Sequence, residues 1–515
     1  MKPHVWAAAL CLAVATVAQA QAPADSRPLV TVIKDGDSAV ALKMIAAGAN
    51  VNAAQEDGTT PLQWAVYQVD TTLVQALLAH GARAEVTNHF GSSPLAEAVK
   101  VANPTLVAML LKAGAKANSA NADGQTPLML AARTGSVAVA KQLVEHGAEV
   151  NAHEGWRGQS ALMWAAGENR PDMVAYLISR GAKVSERAAS NDWGNQITSE
   201  PRAQYRPTGG LTPLLYAVRS NCLACAQSIL KAGADINLPT PDGVTPLMTA
   251  IDNLNFDVAK YLIEHGANPH VWDLWGRTAL YIAVDMSAFS PRGGGGAPAR
   301  ATQTSALDLV HQLLAAGVNP NPQLLMHRPG RGGNSGRFTD DLLTIGATPL
   351  LRATISFDTA IMQALIEGGA LVDLPNGMGV TPLMAAAGLG VSTRDTRGSY
   401  VAAGVQAKSI QSIELLLKAG ADVNFKVADT SGHTARIARP SSMTDRQGQT
   451  ALYGAINWGW ADVVKYLLAH GARVDVADAA GKTPLDASAG NAGGRDHKNV
   501  DDIVAMIKNA TKGGA

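Results

Sequence analysis

Glycine recurs along this chain at a fixed interval, and that interval limits the folds that the sequence can adopt. Gly58, Gly91 and Gly124 are each 33 residues apart, and each opens a short motif of the type Gly-Thr-Thr-Pro-Leu. Related motifs open at Gly158, Gly210, Gly243, Gly276, Gly346, Gly379, Gly448 and Gly481. A unit of this length buries its apolar face only by stacking on its neighbours. The sequence therefore predicts a repeat array, and its length need not be divided into ordinary domains.

Each unit is predicted to contain two short helices. The threonine of Thr-Pro can cap a helix, and proline is tolerated in the first turn because its missing N–H costs nothing there. A second marker, Gly-Ala, follows stretches with helically spaced apolar residues, such as 258–263 before Gly266. Glycine can take the left-handed conformation that ends a helix. An extended finger resembling Ala-Asn-Val-Asn should then lead to the next unit.

These two phased markers resemble the ankyrin repeat, whose period is about 33 residues and whose signature contains Thr-Pro-Leu-His. The resemblance covers nearly the whole chain beyond Ala20 and implies an all-α repeat solenoid of about 12 helix–turn–helix units with atypical capping units. Methionine often replaces the family's histidine, as at Met129, Met163, Met248 and Met384. We expect apolar packing to substitute for the hydrogen bonds of that histidine.

The markers also locate the ends of the array and five insertions. We expect a signal peptide at 1–20, an N-terminal capping repeat at 21–57, repeats over 58–480 and a C-terminal capping repeat at 481–515. Insertions near 186–209, 322–345 and 426–447 should lengthen fingers at one edge. Insertions near 286–303 and 388–408 should separate the two helices of a unit at the opposite edge.

The first 20 residues have the pattern of an export signal. Lys2 precedes an apolar run that is too short to span a bilayer, and Ala18-Gln19-Ala20 supplies a small-residue cleavage site. A buried N-terminal helix is the alternative. We expect a periplasmic or secreted, monomeric array without a membrane span.

Charge and motif content argue against several functions. The chain has 42 basic and 42 acidic residues, so its overall field does not favour nucleic acid. No catalytic motif or cofactor-binding loop is present, and we expect no enzyme and no cofactor. His80, His146, His265 and His470 each precede a Gly-Ala marker. There they can bond free helix carbonyls, so we expect no metal site at these histidines.

The Cys222-Leu223-Ala224-Cys225 segment is the single local motif with possible chemistry. It falls where a second helix should begin, and a helix N-terminus lowers the pKa of a thiol. A local disulfide, a thiol–disulfide exchange pair and two buried reduced cysteines remain open. One pair lacks the further ligands of a structural zinc site.

In ankyrin repeats, a partner binds to finger tips and to the ends of the first helices. The resemblance therefore implies ten candidate partner-binding residues: Tyr67, His89, Phe90, Arg133, Trp156, Arg157, Glu168, Trp193, Trp275 and Trp458. Aromatic residues and arginine are enriched in interface hot spots.

The function predicted from the sequence is non-catalytic binding of another protein, through the concave groove and the long fingers. One alternative is an accessory protein of an exported redox enzyme that uses Cys222 and Cys225. Another is a polyanion-binding module in which the insertions contribute their arginines: Arg202, Arg206, Arg328, Arg331, Arg337, Arg436, Arg439 and Arg446.

Overall fold

The computed structural model describes residues 26–191, 208–288, 303–325, 342–343, 345–391, 403–428, 446–490 and 500–513. The expected signal peptide, Trp193 and all the insertion arginines named above except Arg446 lie outside these residues. The chain separates into two compact units. The first contains residues 26–134 and 138–148, and the second contains residues 135–137 and 149–513.

The first unit is built from helix pairs, in which a first helix of six to eight residues precedes a second helix of nine. The helices are Leu29–Lys34 (α1), Ser38–Ala46 (α2), Pro61–Tyr67 (α3), Thr71–Ala79 (α4), Pro94–Lys100 (α5), Pro104–Lys112 (α6), Pro127–Thr134 (α7) and Val137–Glu145 (α8, which belongs to this unit from Ala138).

The second unit continues the same pairing, and among its described residues β-structure consists of one short antiparallel strand pair and two isolated bridges, His153 with Ser160 and Trp272 with Thr278. Its elements are Ala161–Gly167 (α9), Pro171–Ser179 (α10), Ser190–Asn191 (β1), Thr208–Gly209 (β2), Pro213–Arg219 (α11), Leu223–Lys231 (α12), Pro246–Asp252 (α13), Phe256–Glu264 (α14), Ala279–Ser287 (α15), Ala306–Ala315 (α16), Pro349–Ile355 (α17), Thr359–Glu367 (α18), Pro382–Ala386 (α19), Val405–Lys418 (α20), Ala451–Trp458 (α21), Ala461–Ala469 (α22), Pro484–Gly490 (α23) and Val500–Gly513 (α24). The all-α repeat array predicted from the sequence is confirmed.

The first helices begin as the Thr-Pro motif predicts. The Thr245 side chain accepts a hydrogen bond from the backbone N–H of Met248, and Pro246 occupies the first turn. Thr60 goes further and forms a capping box with Gln63. Capping of this kind contributes about 1 kcal/mol to each helix.

The second helices end as the Gly-Ala marker predicts. Gly266 follows α14 with φ of +90°, and Ala267 N–H returns to the carbonyl of Leu262 at 2.9 Å. His265 Nδ1 lies 2.7 Å from the carbonyl oxygen of Tyr261, and the carbonyl can only accept. His80, His146 and His470 bond in the same way at 2.8 Å, so the structural role predicted for these histidines is confirmed.

Within each of the two compact units, the first helix of a repeat packs on the first helix of the neighbouring repeat, and second helices pack on neighbouring second helices. The leucine of the Thr-Pro-Leu or Ser-Pro-Leu motif is at most 1% exposed at Leu62, Leu95 and Leu247. Leu73 and Leu106 fill the corresponding layer between second helices and are fully buried. This burial is the main stabilising contribution, because each such side chain contributes about 1.5–3 kcal/mol.

Side-chain amides also join each helix-pair repeat to the next repeat, at the start of each finger. Asn52 donates to the carbonyl of Gly81 at 3.0 Å and accepts from Arg83 N–H at 2.9 Å. Asn424 makes the equivalent bonds to Gly471 and Arg473. These bonds fix the spacing of adjacent fingers, because both polar ends of one amide are satisfied by the next unit.

The position that holds histidine in the family is filled in several ways. Met129, Met163 and Met248 are fully buried, as expected for apolar packing. Gln63 instead donates to the carbonyl of Ser92 in the next unit at 2.6 Å. The Tyr453 hydroxyl lies 2.6 Å from the carbonyl oxygens of both Val476 and Lys482. Burial raises the pKa of Tyr453, which therefore stays protonated and donates.

Candidate protein-binding surfaces

In the first unit, an aromatic pair marks the end of α3. The Tyr67 side chain is 60% exposed and stands edge-on to Trp64, with ring centroids 5.8 Å apart. Lys34 lies over the other ring of this pair, 5.5 Å from the Trp64 centroid. Gln55 accepts the Trp64 indole N–H at 3.0 Å. Tyr67 is therefore a large exposed side chain that packs against Trp64, which is itself held by Gln55 and Lys34.

The finger tip before Gly91 is a second exposed position of this unit. Phe90 is 75% exposed, and His89 is exposed beside it. His89 N–H donates to the carbonyl of Asp57 on the preceding finger at 2.8 Å, so the backbone of the tip is held in place. Arg133, at the end of α7, is also exposed.

In the second unit, Trp156 is 73% exposed at the tip of its finger. The buried Glu154 carboxylate accepts the backbone N–H groups of Trp156, Arg157 and Gln159 at 2.7–3.0 Å. The Arg157 guanidinium lies 4.6 Å from the Trp156 ring centroid. Glu168, just beyond α9, is exposed. The tip is thus rigid in its backbone and presents an indole with a cation over one face.

Trp275 does not lie on the surface as its position at a finger tip suggested. Its side chain is only 7% exposed, and the Arg277 guanidinium lies 5.3 Å from its ring centroid. Trp272, which sequence reasoning did not select, is 65% exposed, and Leu274 is 41% exposed. Gly276 N–H donates to the carbonyl of Asp273 at 2.9 Å and closes a turn, in which Leu274 projects outward and Trp275 is buried.

A buried charge network fixes the inner face of this finger. Asp273 accepts backbone N–H groups from Trp275 and Arg277, and its other oxygen lies 2.7 Å from Arg277 Nε. Burial raises the pKa of Asp273 in spite of Arg277. Burial also opposes the charge on Arg277, but the attraction of Asp252 and Asp273 outweighs it and raises the pKa of Arg277. Two carboxylates, those of Asp252 and Asp273, thus hold the Arg277 guanidinium within the chain.

Trp458 is half-buried and engaged within the chain, which corrects its assignment as an open surface residue. Its indole N–H donates to the carbonyl of Gly388 at 2.9 Å, and its ring stacks on Trp460 at 5.6 Å. The Leu389 side chain is 1% exposed. The start of the insertion at 388–408 therefore packs on the first helix of the next unit, where Trp458 was expected to meet a partner.

The end of the finger insertion at 322–345 covers the same side of the array. Leu342 and Leu343 are at most 2% exposed, and Asn376 donates to the carbonyl of Leu342 at 2.9 Å. Arg352, in α17, is 1% exposed and bonds the Asp285 carboxylate through Nε. Two insertions thus close part of the surface that first helices would otherwise present in this unit.

The structure joins the sulfurs of Cys222 and Cys225, with Cα atoms 5.1 Å apart. Cys222 is the N-cap of α12, and its sulfur accepts the backbone N–H of Cys225 at 3.1 Å. The two residues are 2% and 0% exposed. Thiol–disulfide exchange needs an attacking thiolate to reach a sulfur, and this burial does not favour the redox alternative.

The helix pairs, their two phased markers and the finger-to-finger bonds agree with one known family. Residues 29–121, 95–188, 214–290 and 400–506, which are more than half of the chain, match the family described as ankyrin repeats (3 copies). The chain belongs to the ankyrin repeat family.

Known proteins are similar to parts of this ankyrin array. A putative ankyrin repeat-containing protein of Treponema pallidum is 31% identical over 24% of this chain and 35% of its own length. The human mitochondrial disaggregase is 33% identical over 34% of this chain and 24% of its own length. The putative palmitoyltransferase ZDHHC13 of Danio rerio is 32% identical over 24% of this chain and 16% of its own length. The chain therefore spans well under half of these relatives.

A solved structure, the human ASB11 ankyrin repeat domain, is 23% identical, with a TM-score of 0.39 over 47% of this chain and 99% of that domain.

Among the described residues of the array, no cluster of three or more His, Cys, Asp or Glu side chains could hold a metal ion. No helix in the same residues is long and apolar enough to cross a membrane.

Replacing Gly454 tests the closed surface near Trp458. A Cβ on Gly454 would lie 2.5 Å from Leu389 N and 2.7 Å from the carbonyl oxygen of Ala387. Gly454→Ala should therefore lower the free energy of unfolding by about 1–3 kcal/mol, although alanine is the better helix former. Gly167→Ala is the control, because a Cβ there meets only Tyr216 at 3.5 Å. Urea unfolding measures both, and equal stability of the two variants would contradict this packing.

The buried disulfide gives a second prediction. Native chain treated with dithiothreitol and then iodoacetamide should stay unalkylated at Cys222 and Cys225, whereas the same treatment in urea should label both, as read by mass spectrometry. Cys222→Ser with Cys225→Ala keeps an N-cap oxygen and should cost about 2 kcal/mol or less, because the closed loop is very short. Complete labelling of the native chain would restore the redox alternative.

Proposed function

We propose that this ankyrin array is a non-catalytic binding protein, which recognises a partner protein through its finger tips and the open ends of its first helices. The observation that carries the proposal is the exposure of large aromatic side chains on fixed backbone: 60% at Tyr67, 75% at Phe90 and 73% at Trp156. Side chains of this type dominate interface energetics when a partner covers them.

Rigidity supports the same proposal. Each exposed tip is held by bonds that lie behind it, such as His89 N–H to Asp57 and the three N–H groups on Glu154. A surface that is ordered before binding loses little conformational entropy on binding. The closed surface around Trp458 directs the proposed contacts to the exposed aromatic side chains, which are Tyr67 and Phe90 in the first compact unit and Trp156 in the second.

Affinity capture with the whole purified chain, from extracts of its own cells, tests the proposal. A matched bait carries Tyr67→Ala, Phe90→Ala, Trp156→Ala and Trp272→Ala. A control bait carries four substitutions of exposed residues on second helices: Gln75→Ala, Lys141→Ala, Lys260→Ala and Lys465→Ala. Mass spectrometry identifies what each bait retains, and circular dichroism checks that all three chains fold.

We expect a partner that the wild-type and control baits both retain. The bait with the four aromatic residues changed to alanine should retain at least about tenfold less of it, because hot-spot truncations each cost more than 1 kcal/mol. Equal retention by all three baits would move the site away from the finger tips. Retention by none of them, in extracts of every cell fraction, would count against protein binding.

We also propose that the chain acts after export, in the periplasm or outside the cell. The apolar run ending at Ala18-Gln19-Ala20 supports this, and so does the Cys222–Cys225 bond, since disulfides persist mainly in oxidising compartments. Fractionation of producing cells should give a chain that begins at Gln21 by N-terminal sequencing. An intact Met1 on protein recovered from the cytosol alone would contradict export.

A further inference from the structure

The fingers around Trp272 enclose a cleft that no predicted site included. Its volume is about 430 Å³, and it lies between the finger at 270–278 and the following one at 318–325. Trp272, Val318, Pro322 and Leu325 give it apolar walls, with Asn319 and Gln323 among its polar lining groups. Ligand pockets usually have volumes of about 300–1,000 Å³, so this cleft can hold one large side chain with room around it.

The apolar surface continues beyond the cleft. Among the described residues, eight large apolar side chains are exposed, and four of them belong to these neighbouring fingers: Trp272 at 65%, Leu274 at 41%, Leu325 at 57% and Leu371 at 58%. Leu371 N–H donates to Asn321 at 2.8 Å, which ties the third finger to the second. Exposed apolar surface that is concentrated in this way marks interaction sites.

The walls of the cleft are fixed before any ligand arrives. Leu325 N–H donates to the carbonyl of Trp275 at 2.9 Å, and the Gln323 amide donates to the carbonyls of Gly346 and Pro375. Gly276 permits this approach, because a Cβ there would lie 2.8 Å from Leu325. A preformed cleft avoids the cost of ordering its walls on binding.

Charge decides what kind of ligand fits. Among the described residues that line the cleft there is no Asp, Glu, Lys or Arg, and His270 is the one titratable side chain. Asp273 and Arg277, which lie nearby in the same finger, are buried and paired with each other. An ionic group would lose its hydration here without gaining a partner, so the cleft complements an uncharged apolar group.

We propose that this cleft binds an uncharged aromatic or branched aliphatic side chain from an extended segment of a partner protein. The inference rests on the proposed protein-binding function and names the chemistry of one of its contacts. A protein segment is favoured over a free small molecule because Leu274, on the finger of Trp272, and Leu371, bonded to Asn321 of the next finger, expose further apolar side chains on the fingers that adjoin the cleft. A chain with further apolar residues can cover that surface, whereas a single small ring cannot.

Saturation-transfer NMR on the full chain tests the cleft without knowledge of the partner. The probes are N-acetyl-tryptophanamide, N-acetyl-leucinamide and the corresponding amides of glutamate and lysine. We expect the two apolar amides to bind and the two charged amides to bind at least about tenfold more weakly. Trp272→Ala and Leu325→Asp should each weaken the apolar amides at least about tenfold.

Lys465→Ala is the control, because it changes an exposed residue of a second helix that does not line the cleft. It should leave binding of the apolar amides unchanged. Equal loss in Lys465→Ala and Trp272→Ala, or equal binding of charged and apolar amides, would overturn the proposal. Circular dichroism confirms that each variant folds.

A second experiment separates the possible occupants. A Gly/Ser peptide with one tryptophan flanked by two leucines should bind more tightly than the same peptide with serine in place of leucine. A dimer that Trp272→Ala dissociates in sedimentation, or Trp272-dependent binding to phosphatidylcholine vesicles, would overturn a partner segment as occupant. A partner captured by the wild-type chain and kept by Trp272→Ala would refute the cleft while leaving protein binding intact.

Discussion

Every part of this protein depends on the stacking of one short unit on the next. A single pair of helices of about seven and nine residues cannot bury its apolar face, and isolated helices of that length are unstable in water. Stacking buries Leu62 against its neighbours on one side of the pair and Leu73 on the other. In the last described helix, α24, Ile503 and Ile507 are buried, and Asp501, Asp502 and Lys508 are exposed.

Hydrogen bonds between neighbouring repeats also fix how each repeat aligns with the next. The asparagines at the finger bases and the N–H groups at the finger tips repeat along each unit, whereas the position after Thr-Pro-Leu varies. Gln63 bonds to the next unit, Met129 only packs, and Tyr453 bonds to two carbonyls at once. The array therefore tolerates different residue types at this position, provided that each buried polar atom of the side chain finds a hydrogen-bond partner.

The insertions change which surfaces remain open. Loops added to a repeat array are expected to project outward, yet the described ends of two insertions fold back over first helices and bury Leu342 and Leu389. Glycine at position 454 makes this possible, because a side chain there would occupy the space of the Leu389 backbone. Among the described residues, the large aromatic side chains that stay exposed are Tyr67 and Phe90 in the first compact unit, and Trp156 and Trp272 in the second.

The sequence by itself determined the repeat, its helices and their caps, because each depends on local chemistry. Thr-Pro starts a helix at Thr245-Pro246 and Gly-Ala ends one at Gly266-Ala267, as at the equivalent positions of other repeats, and the histidine before Gly-Ala bonds the carbonyl four residues earlier. The sequence also predicted the exposed Tyr67, Phe90 and Trp156. Only the tertiary structure decided that Trp272 faces outward and Trp275 inward, because a turn at 273–276 separates them and the Trp275 ring packs beside the buried Arg277. It also decided that Trp458 meets Gly388, since that contact joins residues 70 positions apart, which no local pattern records.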